Sequence, residues 1–174
     1  MPTLAIDIGA TKIAVAVVSP TQEVTLRREI PSSELWNGLS TALLDVARES
    51  DVELKKIGIG SAGPINTAQG TISPVNIPSW RDFPLISLIQ DLFPHARIKM
   101  VGDAVALAVA EHAIGAGLGS RNMLGMVVST GIGGGLILDG KVFPGETGNS
   151  CYIGHHSINF DGRQCACGRK GCVE

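Results

Sequence analysis

The sequence predicts an α/β fold built on a mixed sheet, and three observations carry that expectation. Short β-branched apolar runs follow one another across tight turns at the start of the chain. Apolar residues next recur at helical spacing, and from there buried-strand and helix candidates alternate. Residues 3–8 and 11–19 are the first two strands, separated by Gly9-Ala10, and residues 23–30 follow the turn at Ser19-Pro20 with strand-like alternation. Together they read as an antiparallel meander. Leu35, Leu39, Ala42, Leu43, Val46 and Ala47 then predict a helix, for which Ser32 or Ser33 before Glu34 offers an N-cap. Residues 56–60 are a buried-strand candidate, residues 84–93 a second helix, 98–102 a strand, and 104–114 a third helix stopped by Gly115 and Gly117. The order β-β-β-α-β-α-β-α makes a layered α/β unit.

The glycine-rich stretch 115–120 is the best boundary candidate, so an N-terminal domain is expected over 1–117 and a second over 118–174. Fresh strands at 124–129, 135–138 and 141–143 open that second domain with a new meander. It ends on a Gly/Cys-rich loop with little left to cover its sheet, so the natural polypeptide is expected to continue beyond Glu174.

Composition narrows the function. With 44% hydrophobic and 17% charged residues and a net charge of -2, the 174-residue chain is globular rather than disordered or fibrous. No basic cluster denser than Arg27-Arg28 occurs and aromatics are only 4%, which argues against nucleic acid as a partner. The longest apolar run, 13–18, is far short of the roughly 20 residues of a membrane helix. Asp7 and Lys12 interrupt the N-terminal stretch, so no targeting segment is read and a cytoplasmic protein without membrane contact is expected.

Two strand-turn-strand loops have the composition of phosphate cradles: Asp7-Ile8-Gly9-Ala10-Thr11-Lys12, and Ser129-Thr130-Gly131-Ile132-Gly133-Gly134-Gly135. Glycine lets backbone N–H groups approach phosphate oxygens, Thr11 and Thr130 add hydroxyls, and Asp7 can hold Mg²⁺ through water. Either loop alone is equally an ordinary hairpin turn. One such loop in each domain suits a nucleotide. No Walker A pattern occurs. Gly58-Ile59-Gly60-Ser61-Ala62-Gly63 matches G-x-G-x-x-G, but Pro64 and a turn-rich segment follow where a dinucleotide fold needs a helix.

Asp103 sits where a buried strand meets a helix, at the edge where open α/β sheets keep their ligands. It reads as a helix N-cap, as a fixed carboxylate able to accept a substrate hydroxyl proton, or as both. Cys165, Cys167 and Cys172, with His155 ten positions before the first, form a Cys₃His set suited to a closed, structural zinc site. A disulfide or free thiols are the plainer alternatives. Cys151 and His156 read as bystanders.

These residues, with Gly60-Ser61-Ala62-Gly63-Pro64, Pro74-Val75-Asn76-Ile77-Pro78-Ser79-Trp80 and Cys165-Ala166-Cys167-Gly168-Arg169-Lys170-Gly171-Cys172-Val173-Glu174, resemble the ROK family (repressor, open reading frame, kinase) over essentially the whole chain. The resemblance implies an actin-like, ribonuclease-H-like fold and an ATP-dependent sugar kinase acting on the 6-hydroxyl of glucose or a related hexose. N-acetylmannosamine or N-acetylglucosamine kinase is the alternative substrate reading, and a non-catalytic, repressor-type sugar binder the alternative class. It further implies Asp103 as catalytic base. Gly63, Asn76, Asp103, Tyr152, His155 and Glu174 would contact the sugar. Asp7, Gly9, Thr11, Lys12, Thr130, Gly131 and Gly133 would lie at ATP and Mg²⁺. His155, Cys165, Cys167 and Cys172 would hold structural Zn²⁺, and a homodimer is expected. Two positions depart from the family pattern: Gly102 replaces the usual Asn before the catalytic Asp, and Tyr152 replaces Glu in E-x-G-H.

Overall fold

A computed structural model describes residues 1–129 and 131–174; Thr130 lies outside the described residues. It divides into two compact units, Met1–Asp103 and Ala104–Glu174.

The first unit is a five-stranded mixed sheet in the order Val24–Pro31 (β3), Lys12–Val18 (β2), Thr3–Ile8 (β1), Lys56–Ser61 (β4) and Arg97–Gly102 (β7). Strands β1, β2 and β3 form the expected meander. β4 and β7 add to β1 in parallel. Period-two alternation sends Leu4, Ile6, Ile8, Ile13, Val15, Ile57 and Ile59 to one face. There they share a core with Leu39, Leu43 and Val46 of α1 (Leu35–Glu49) and Leu85 and Ile89 of α2 (Leu85–Leu92). Each such fully buried aliphatic side chain contributes about 1.5–3 kcal/mol. On β1, β2 and β4 the opposite face carries Ala5, Ala14, Ala16, Gly58 and Gly60, small residues around the Asp7 carboxylate.

Two local expectations are corrected. Neither Ser32 nor Ser33 caps α1, whose N-cap is Glu34 with no side-chain cap bond. Instead the Ser32 hydroxyl donates to the Ala10 carbonyl at 3.0 Å, and its N–H donates to the Thr11 carbonyl at 3.1 Å. The turn-rich stretch after Pro64 contains a small hairpin, β5 (Ile65–Asn66) with β6 (Thr71–Ile72). A hairpin where a dinucleotide fold places a helix agrees with setting that fold aside.

In the second unit, β8 (Met123–Val128), β9 (Ile132–Leu138) and β10 (Lys141–Val142) form a three-stranded antiparallel sheet. Helix α3 (Asp103–Ile114) places Ala104, Val105 and Ala108 against it. A Cβ on Gly133 would lie 2.6 Å from the Ala104 Cβ, and Cβ atoms on Gly125 or Gly135 would lie 2.6 Å from that of Ala108. Those glycines allow the close approach of α3 to the sheet. The remaining chain, past a 3₁₀ turn at Ile153–His155, is a loop tied by bridges from Ser157 to Cys172 and from Gln164 to Lys170. Among the described residues no helix is long and apolar enough to cross a membrane.

Candidate functional site

In the first unit the carboxyl ends of parallel strands β1, β4 and β7 lie in register, with Asp7 beside Gly60 and Gly60 beside Val101. Asp103 follows β7 directly and opens α3. Asp7's cross-strand neighbours are Ala14 and Gly60, so its carboxylate projects from a surface without bulk around it. Its pKa is raised, first by desolvation and next by the like charge of Asp103, while Lys12 and Arg27 oppose the shift. A carboxyl group raised by the like charge of a second carboxylate is suited to sharing a cation with it.

The β1–β2 turn closes on its own backbone. The Gly9 N–H is committed to the Lys12 carbonyl at 3.0 Å, so Gly9 closes the hairpin and does not present a donor. Lys12 Nζ pairs with Glu29 Oε1 at 3.0 Å, and Arg27 pairs with the same carboxylate. Thr11 is exposed at the tip of the turn. The sequence reading missed Glu29 and Arg27. The signal was available, because meander register puts Glu29 opposite Ala14, which is itself opposite Asp7.

Gly63 and Asn76 lie on neighbouring loops. The Val75 N–H donates to the Gly63 carbonyl at 3.3 Å and the Ser73 N–H to the Pro64 carbonyl at 2.9 Å, leaving Asn76 exposed at the outer bend.

In the second unit the glycine-rich loop is shorter than its sequence suggests. Gly133, Gly134 and Gly135 lie within β9, where close packing accounts for Gly133 and Gly135, so these glycines belong to the strand. The Ser129 N–H donates to the Gly131 carbonyl at 2.9 Å. The expected role of Thr130 falls outside the described residues.

His155, Cys165, Cys167 and Cys172 each place one ligand atom within 4.8 Å of the others. The Cys165 Sγ lies 3.5 Å from His155 Nδ1, and the Sγ atoms of Cys167 and Cys172 are 3.6 Å apart, with all four cysteines free. That geometry fits a tetrahedral metal donor set and not a disulfide. Backbone turns build it: the Gly168 N–H returns to the Cys165 carbonyl and the Cys165 N–H to that of Arg169. The Arg169 backbone N–H, chiefly, holds the Cys167 thiol down to about 6, whereas desolvation first pushes Cys172 up to about 11. Cys151 and His156 stay outside the group.

Tyr152 stacks on the His155 ring with centroids 6.0 Å apart. Glu174 Oε2 lies 3.8 Å from His155 Nε2 and accepts the Ile132 N–H at 3.4 Å. Three of the residues expected at the sugar, Tyr152, His155 and Glu174, are therefore brought together. A surface groove of about 470 Å³ between β3 and α1 is lined by Arg28, Glu34, Asn37, Thr41 and Asp45 and contains none of the candidate residues.

One prediction arises at Asp7. A raised carboxyl pKa means that the fold disfavours the charged form, so its contribution to stability is full below the ordinary carboxylate range and is lost as pH rises through the raised value. Asp7→Asn is therefore expected to raise Tm at neutral pH by on the order of 1–2 °C, a small shift because water screens an exposed carboxylate. Melting curves from pH 4 to 8 should show the advantage growing with pH; a variant less stable at pH 8 than the wild type would refute this.

Comparison with known proteins fits this arrangement. Residues 3–174 match the model of the ROK family. The N-acetylmannosamine kinase of Citrobacter koseri is 38% identical over 178 aligned residues, which cover 100% of this chain and 60% of that protein. The chain thus spans about three fifths of the length of the curated relatives it matches. A ROK hexokinase from Thermus thermophilus superposes with a TM-score of 0.84 at 35% identity, covering 99% of this chain and 58% of that one. A ROK glucokinase from Streptomyces griseus, solved with glucose and AMPPNP, gives 0.83 at 28% identity over 99% of this chain and 55% of that one. The shared architecture is the actin-like, ribonuclease-H-like one that the sequence resemblance implies. With its family match running from the first strand to the cysteine loop, the chain belongs to the ROK family.

Proposed function

We propose that the chain is part of an ATP-dependent sugar kinase that phosphorylates the 6-hydroxyl of glucose or a related hexose. The observation that carries this reading is Asp103, placed at the carboxyl end of β7 beside the second carboxylate, Asp7. In this role Asp103 accepts the sugar hydroxyl proton as the new O–P bond forms and the bond from the γ-phosphorus to the ADP oxygen breaks. Asp7 is the residue suited to the cation that accompanies the nucleotide. Mg²⁺ would supply charge neutralisation at the phosphates. Gly63, Asn76, Tyr152, His155 and Glu174 are proposed sugar contacts, and Thr11, Lys12, Thr130 and Gly131 nucleotide contacts.

His155, Cys165, Cys167 and Cys172 fit structural Zn²⁺, since their donor set is closed and offers no position for a reacting water. A homodimer acting in the cytoplasm completes the reading, with no membrane or nucleic-acid partner.

N-acetylmannosamine is the second substrate reading, favoured by the 38% identity to an enzyme of that name. Tyr152 and Gly102 are where the two readings part, because side chains expected to reach sugar hydroxyls are replaced there. ADP release by the full-length natural polypeptide, with Mg²⁺ and zinc present, across glucose, mannose, fructose, N-acetylglucosamine and N-acetylmannosamine, decides between them. Turnover on a hexose supports the first and turnover on N-acetylmannosamine alone the second. Silence on all five from a folded protein leaves sugar binding without catalysis.

A further inference from the structure

Glu174 is the residue through which the cysteine cluster and the β8–β9 turn touch. Its backbone is fixed, the N–H donating to the Gly154 carbonyl at 3.0 Å, and its carboxylate packs where Cβ atoms on Gly131 and Gly154 would stand, 3.0 and 2.9 Å away. One oxygen, Oε2, faces both His155 Nε2 at 3.8 Å and the Ile132 N–H at 3.4 Å. The other imidazole nitrogen, Nδ1, faces the Cys165 sulfur at 3.5 Å. A neutral imidazole carries one N–H; a carboxylate facing Nε2 favours the proton there, which leaves the Nδ1 lone pair for a metal.

We propose that Glu174 is a positioning residue that couples metal occupancy to the glycine-rich turn. It holds His155 in the tautomer that ligates through Nδ1, and the same carboxylate oxygen anchors the first residue of β9. Filling the cluster fixes the imidazole, the imidazole fixes the carboxylate, and the carboxylate fixes the Ile132 amide. The inference rests on the metal part of the proposed function and not on kinase activity.

The test uses the full-length natural polypeptide with Zn²⁺ as probe, and the variants Glu174→Ala and Glu174→Gln. Zinc affinity is read by competition with a chelating dye, the His155 tautomer by ring nitrogen chemical shifts, and the Ile132 amide by hydrogen exchange with and without chelator. Glu174→Ala is expected to weaken zinc binding by about 10–100-fold. It should also allow mixed tautomers in the metal-free protein and make Ile132 exchange fast whether or not zinc is present. Glu174→Gln keeps an acceptor for the Nε2 proton and should recover most of the affinity and the tautomer. In the wild type, chelation alone should accelerate Ile132. Wild-type zinc affinity in the alanine variant, or Ile132 exchange indifferent to zinc in the wild type, overturns the proposal. A wild type that binds no zinc overturns the metal reading and this inference together. Tight zinc binding with the expected coupling but no sugar turnover sustains the inference while the kinase reading fails.

Discussion

Asp103→Asn is expected to lower kcat on the accepted sugar by about 10²–10⁴-fold, the usual contribution of a general base, while the sugar Kd stays within about threefold of wild type. The substitution separates catalysis from folding because its two structural effects oppose one another. Asp103 opens α3, where a negative charge at the helix's positive end contributes about 0.3–1 kcal/mol that Asn gives up. The same charge raises the pKa of Asp7, so its removal relieves a repulsion. A melting temperature within a few degrees of wild type is therefore expected. Sugar binding by calorimetry and ADP release, both on the full-length protein, check the prediction. A variant with near-wild-type kcat removes Asp103 from the catalytic role, and one that no longer folds shows that its helix-opening role dominates.

The first unit was largely legible because its signals are periodic. Alternation in β1 and β2 and the 3.6-residue spacing of Leu39, Leu43 and Val46 each mark one buried face, and the structure uses those faces. Legibility failed where one residue type serves two ends. Gly131 to Gly135 read as a phosphate loop because glycine permits close approach to a ligand, yet Gly133 and Gly135 permit close approach to α3. Sequence spacing cannot distinguish what is being approached. Ser32 failed similarly: a hydroxyl before a helix reads as a cap, and here it secures the Ala10 carbonyl of a turn remote in sequence. The cysteine cluster was legible because the spacing of three cysteines and a histidine singles out the four residues that the structure groups within 4.8 Å of one another. The link from Glu174 to Ile132 was not, since nothing in the chain's pattern ties residues 42 apart.

Chelation of the metal should expose the loop from Ser157 to Glu174 and leave the first unit intact. The loop has almost no apolar interior to hold it: Ile158 is 74% exposed, Phe160 86% and Val173 43%. Its order comes from a few backbone hydrogen bonds and, on the proposed zinc reading, from the four grouped side chains. Structural zinc contributes about 10–16 kcal/mol of apparent binding free energy in small peptide sites, and where no core exists that energy is the folding energy. In the first unit the Leu, Ile and Val side chains of β1, β2, β4 and α1 are nearly all buried without any metal. Trypsin gives a direct reading, because Arg163, Arg169 and Lys170 are exposed residues of the loop itself. With zinc these bonds are expected to resist cleavage through the time needed to digest an unfolded control. After chelation they should be cut at least tenfold faster, while fragments covering Met1–Asp103 persist and zinc restores resistance. Equal cleavage in both states would mean that the thiols and imidazole hold the loop without a metal, and the zinc assignment would fall.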